Sequence, residues 1–249
     1  ETTANAYDWA TLFTGAQWVH VTGITPALSA NTAEATLLAA KAAKAAGLTV
    51  SCDLNFRKKL WKWRPGTQQR DLAEETMRAV LPYVDVVIAN EEDAEKVLGI
   101  HAAGSNVDAG ELNIDAYVDV AAQIVGQFPN VSKVAITLRE SISATHNNWG
   151  GMLYDAGTKM AHFAPLDENG TYTPYEIRDI VDRVGGGDSF GAGLIFALIT
   201  DGLNDPATAI RFAVAASCLK HSIVGDFNYA TRAEIAALVA GQASGRVNR

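Results

Sequence analysis

No stretch of this 249-residue sequence reaches the roughly 20 consecutive apolar residues that a membrane-crossing helix needs, and its first residues carry no basic-then-apolar leader pattern. A soluble protein is the expectation. Positive charge is also scarce: 20 Lys and Arg stand against 28 Asp and Glu, a formal net charge of -8, which argues against a general nucleic-acid or membrane surface. Any anionic ligand must therefore be held by a local site. The only cysteines, Cys52 and Cys218, sit in apolar contexts without metal-ligand spacing and are expected as two buried thiols of a reducing cytosol. One histidine beside two asparagines, His146 with Asn147 and Asn148, is too thin a basis for a metal centre. The tryptophans, Trp61 and Trp63 among them, lack the regular spacing of a nucleic-acid stacking platform and are read as packing residues. A GxGxxG followed about 20 residues later by a ribose-binding acid is missing, which argues against a dinucleotide-dependent dehydrogenase. Neither an internal repeat nor a long linker interrupts the chain.

What the sequence has is 48% hydrophobic and 19% charged residues, enough for one sizeable α/β core. Strand and helix patterns alternate from Trp18 onward. Strands are expected over 18–24, 48–55, 85–89 and 133–137. Helices are expected over 29–46, with Asn31 and Glu34 in capping-box spacing and Gly47 as the stop, over 68–81, after Asn90, and over 114–128. The polar segment 101–113 reads as a loop, and 143–163, with its Asp155-Ala156-Gly157 turn, as a small antiparallel extension. Two further helices are expected over 205–221, with Pro206 in the first turn, and over 233–240. This winding predicts a three-layer, doubly wound, mainly parallel sheet with helices on both faces. In such sheets ligands bind beyond the carboxyl ends of the strands.

The stretch 177–200, IRDIVDRVGGGDSFGAGLIFALIT, organises the rest. Ile180, Val181 and Val184 read as a buried strand, 190–199 as an apolar helix, and three glycines with an acid lie between. A strand turning through glycines into a helix gathers free backbone N–H groups where the helix dipole favours negative charge. Glycines and an acid at a helix start also have a purely structural use, in packing and N-capping. Yet a carboxylate at the mouth of a phosphate cradle repels a bound anion, which suits Asp188 to take a proton from a hydroxyl as a phosphoryl group arrives.

Other candidates follow the other strands. Arg57 ends a strand with a planar fork matched to a carboxylate, while Lys58 and Lys59 read as a solvated turn. Asn90 can cap the helix it precedes, and the acids Glu91, Glu92 and Asp93 suit that helix N-terminus. Arg139 could meet a triphosphate or pair with Glu140. Asp226, in the turn 224–228, is on sequence grounds a turn former.

DRVGGGDSFGAG, residues 182–193, resembles the C-terminal signature of the ribokinase-like (PfkB) carbohydrate kinases. The common form of that signature has alanine where Gly186 stands and threonine or a similar residue where Val184 stands. The variant found here looks most like the 2-keto-3-deoxygluconate kinase branch. DLNFRKKLW from Asp53, NEEDAE from Asn90 and TLRESISA from Thr137 resemble further segments of the family.

The resemblance covers essentially the whole chain from Tyr7 and implies a single ribokinase-like domain over 1–249 that lacks the N-terminal quarter, with its first strands and sugar-contacting lid. It implies ATP and Mg2+, transfer of the γ-phosphoryl group to the terminal hydroxyl of 2-keto-3-deoxy-D-gluconate, Asp188 as base, and Gly185, Gly186 and Gly187 stabilising the transferring group. Arg57, Asp188 and Asp226 would hold the substrate, and Thr137, Arg139, Gly185 and Gly187 the nucleotide. Asn90 and Asp93, the latter in place of the family's glutamate, would act on the metal through water. Fructose, ribose, a nucleoside or another sugar acid as substrate stays open, as does a non-catalytic nucleotide- or sugar-binding domain. A cytoplasmic protein is expected, without nucleic-acid or membrane partners and with homo-oligomerisation open.

Overall fold

The computed structural model of the chain describes residues 3–90, 92–100 and 114–241, so the loop expected over 101–113 and Glu91 lie outside the described residues. The fold divides into two compact units, 1–136 with 154–160 and 137–153 with 161–249, and each boundary falls inside a strand.

The first unit opens with a short helix α1 (Trp9–Leu12) and strand β1 (Trp18–Thr22). Helix α2 (Ala30–Ala45), strand β2 (Thr49–Asp53), helix α3 (Gln69–Val80), strand β3 (Val86–Ala89) and helices α4 (Asp93–Leu98) and α5 (Ile114–Gln127) lead to strand β4 (Lys133–Ser141). Strands β1 to β4 are parallel neighbours in chain order, with Cys52 opposite both Val21 and Val87 and Ile88 opposite Ala135. All four residues of β3 are buried, as a strand covered on both sides requires. Helix α2 is capped by Ser29, whose hydroxyl takes the Thr32 N–H while the Thr32 hydroxyl takes the Ser29 N–H. The expected Asn31–Glu34 box is therefore two residues out, because Thr32 substitutes its hydroxyl for the carboxylate that the spacing rule looks for. Gly47 does end the helix, at φ 75°.

The second unit holds the end of β4, most of β5 (Asn147–Asp155), then β6 (Met160–Ala164), β7 (Tyr175–Ile177), α6 (Gly186–Leu198), α7 (Pro206–Lys220) and α8 (Arg232–Val239). Strand β5 neighbours β6 and pairs antiparallel with β7, so 143–163 is the antiparallel extension expected from its turns. Asp205 caps α7 through the Thr208 N–H, with Pro206 following as first residue. Helices α6 and α7 pack through small residues: a methyl at Gly193 would lie 3.0 Å from Ala216 Cβ and 3.1 Å from Ala213 Cα. The approach places the start of α6 against the end of α7.

The segment after β7 is not the buried strand its Ile and Val content suggests. Val181 and Val184 are exposed, Asp179 turns the backbone at φ 57°, and the Val181 and Asp182 N–H groups donate to His221 O rather than to a neighbouring strand.

Candidate functional site

In the second unit the site is built around the first turn of α6. Gly185 is its N-cap at φ 79°, a left-handed conformation that side chains rarely adopt, and a methyl there would stand 2.1 Å from Asp226 O. The chain thus closes directly on the 224–228 loop. Gly186 donates to Arg183 O at 3.3 Å and Ser189 to Gly185 O at 2.8 Å, whereas the Gly187 and Asp188 N–H groups occupy the first turn, which has no intrahelical acceptor for them. A methyl at Gly187 would meet nothing within 4 Å, so the side-chain face of this residue is open. Asp188 is exposed at its side.

The approach to the turn is pinned by Asp182. Its Oδ1 accepts from Val184 N and its Oδ2 from Gly225 N, both at 2.9 Å, and these bonds hold the carboxyl below its ordinary pKa. Arg183 donates to Ser143 O and Ala144 O at 2.7 Å each. A cleft of about 520 Å³ opens beside the turn, lined by Asp188, Ala192, Phe196, Phe212, Asp226 and Phe227 among others. Phe196 and Phe212 stack at 5.4 Å, and the Arg232 guanidinium lies 5.9 Å from the Phe196 ring. Asn228 is committed to the wall, donating to Ala216 O and accepting from Ala230 N. An apolar aromatic cleft running into free backbone amides suits a flat ring carrying phosphates. Thr137 is buried in β4, and Arg139, two residues on, is exposed.

In the first unit, Arg57 lies with Lys58 and Lys59 in an exposed turn after β2. The turn is anchored by the fully buried Trp61, at φ 61°, whose N–H donates to Ala27 O at 3.0 Å. Asp93 is 2% exposed, and its carboxylate spans two loops: Oδ1 accepts from Phe56 N at 3.0 Å and Oδ2 from Asn90 N at 3.1 Å. Asn90 returns the bond, its Oδ1 accepting from the Glu92 and Asp93 N–H groups. Burial pushes the Asp93 carboxyl up, against the pull of the Asn90 and Phe56 amides and the charge of Arg57. Arg57 was expected at the sugar acid and Asn90 with Asp93 at the metal; the Asp93 carboxylate bonds Asn90 and Phe56, the neighbour of Arg57. Asp93→Ala would leave the half-buried Phe56 and Asn90 N–H groups without this acceptor and is expected to cost about 1–3 kcal/mol. A urea midpoint unchanged from the parent would refute this.

Sequence reading missed Asp182, Ser217, His221 and the aromatic lining. Asp182, two residues before Val184, has the spacing of an Asx turn, a signal that was there to find. Ser217, His221 and Phe212 carry none, because they reach the turn and its cleft from α7.

Against known proteins, residues 1–140 match the model described as pfkB family carbohydrate kinase. The chain is 30% identical over 227 residues to the 2-dehydro-3-deoxygalactonokinase of Haloferax volcanii, covering 91% of this chain and 58% of that one. Among solved structures it resembles 2-dehydro-3-deoxygluconokinase from Thermotoga maritima, with a TM-score of 0.82 and 41% identity over 97% of this chain and 65% of the other. It also resembles a PfkB family carbohydrate kinase from Listeria grayi, with a TM-score of 0.77 and 31% identity, covering 94% and 63%. The chain thus spans about three fifths of the length of these relatives.

Proposed function

Because this chain belongs to the pfkB family of carbohydrate kinases, we propose that it serves an ATP-dependent kinase moving the γ-phosphoryl group to the terminal hydroxyl of 2-keto-3-deoxy-D-gluconate. The observation that carries the reading is the turn at the start of α6, where a left-handed glycine N-cap, the first-turn amides of a helix, an exposed carboxylate and an aromatic cleft converge. Asp188 accepts the proton of the attacking hydroxyl. Backbone N–H groups of the Gly185–Gly187 turn, Gly187 foremost, stabilise charge on the transferring oxygens. The adenine ring would lie in the cleft lined by Phe196, Phe212 and Phe227, and Thr137 and Arg139 serve the nucleotide from β4. Arg57 pairs with the sugar-acid carboxylate, and Asp226 contacts the sugar from its loop.

No group of three metal-ligating side chains occurs among the described residues, which fits a magnesium ion held by nucleotide phosphates and water. When bound, such an ion neutralises phosphate charge. Asn90 and Asp93 would reach it only through water, Asp93 with each oxygen already holding a backbone N–H.

The likeness to a protein named for the galacto epimer favours one alternative, the 2-keto-3-deoxygalactonate acid. Sugar-dependent ADP release by the full-length protein over both keto-deoxy acids, fructose and ribose decides. The acids are expected to exceed the neutral sugars by about 100-fold in kcat/KM, because rejecting a ligand that leaves Arg57 unpaired is worth several kcal/mol. Release without dependence on sugar, or a preference for a neutral sugar, would overturn the proposal.

A further inference from the structure

Beneath the glycine turn sits a histidine with no part in the proton transfer. His221 follows α7 as its C-cap and is 3% exposed. Its Nδ1 lies 2.8 Å from Ser217 O, and a carbonyl can only accept, so Nδ1 carries the proton. The hydroxyl of the same Ser217 donates to Gly186 O at 2.6 Å. The opposite edge of the ring faces Gly186: a methyl there would stand 3.2 Å from His221 Cε1 and 3.5 Å from Nε2. Trp149 of β5 lies 5.0 Å from the imidazole, ring centre to ring centre. The His221 carbonyl accepts from Val181 N at 2.9 Å and Asp182 N at 3.3 Å, on the segment that leads into the glycines.

We propose that His221 is a positioning residue of the turn, its ring a spacer occupying the room an alanine side chain at 186 would take and so setting where the Gly187 and Asp188 amides point. The inference rests on the kinase reading for its catalytic part. One residue touches the turn on both sides: the ring supports the helical side at Gly186 and the carbonyl holds the approach at Val181. Burial, helped by the charges of Lys220, Arg183 and Arg139, shifts the ring toward its neutral form against the pull of the Ser217 carbonyl. An uncharged wedge adds no field of its own at the anion site, so its influence is geometric. It also bears on glycine at 186, because a β-carbon 3.2 Å from the ring forces one of the two to give by a few tenths of an ångström.

The test is a double-mutant cycle in the full-length protein with Gly186→Ala, His221→Ala and their combination, read by kcat, both KM values and the urea midpoint. His221→Ala is expected to lower kcat about tenfold while the KM for the sugar acid moves less than about threefold, as for groups that act mainly in the transition state. Gly186→Ala should lower the midpoint in the parent and lower it less, or raise it, in the His221→Ala background. The double variant should regain about half of the lost kcat on a logarithmic scale, a coupling expected only of groups in contact. Additive midpoints, or a His221→Ala enzyme with the parent's kcat, would overturn the proposal. A parent that releases no ADP in response to sugar would instead count against the kinase reading, while the midpoint cycle would still decide whether ring and turn compete for the same space.

Discussion

Asp188→Asn is expected to lower kcat by about 10²–10⁴-fold, the range for removing a general base, while the protein folds as before. The two side chains have the same shape, and Asp188 is exposed in the first turn of α6. The structural loss is confined to one charge at a helix N-terminus, worth about 0.3–1 kcal/mol. Substrate KM values should change little, because the amide still fills the site and can hydrogen bond the hydroxyl. What it cannot do is accept the proton. Steady-state kinetics beside a thermal melt separates the two effects, and turnover close to the parent's would remove Asp188 from the mechanism.

Gly185→Ala should harm both fold and chemistry. The φ of 79° alone costs a side chain about 1–2 kcal/mol, and the new methyl would sit 2.1 Å from Asp226 O and 3.0 Å from the carbon that bears it. Both contacts are backbone, so no side chain can rotate away; the turn or the loop must move, at a further cost of about 1–3 kcal/mol. A total of about 2–5 kcal/mol should appear in the urea midpoint. A displacement of the amides on the order of 1 Å should cut turnover by about 100-fold. Gly187→Ala is the control, because its methyl meets nothing within 4 Å and the residue needs no left-handed backbone. It should leave the midpoint near the parent's. Equal midpoints for the two variants would mean that Gly185 is not the point where turn and loop close.

Much of this was legible before any coordinates. The alternation of β-branched runs with capped helices placed α3, α7 and strands β1 to β3 within a residue or two, and the start of β4 but not its end at Ser141, since buried parallel strands and end-capped helices leave strong local signals. The glycine triplet marked the turn for the same reason: left-handed backbone and close approach demand glycine at 185 and favour it at 186. The misreadings have a common origin in partners distant along the chain. Val181 and Val184 look like core residues, but their segment is tied to His221, about 40 positions away, and local composition is blind to that bond. Asp93 looked like one acid of an exposed cluster until Phe56, 37 residues earlier, proved to be one of its donors. Whether a carboxylate serves a ligand or the fold depends on which amides come to it, and the linear sequence does not carry that.

The fork made by Asp182 also bears on how such a site can diverge. One carboxylate holds the amide just before the glycines and the amide of Gly225 in the loop over the cleft. An insertion or deletion at the start of that loop would therefore loosen the approach to the turn in the same event. Drift in ligand preference has freer ground a few positions on, at Phe227 and Tyr229, which are 71% and 74% exposed. Substitutions there would leave untouched the part of the loop that meets the glycine turn.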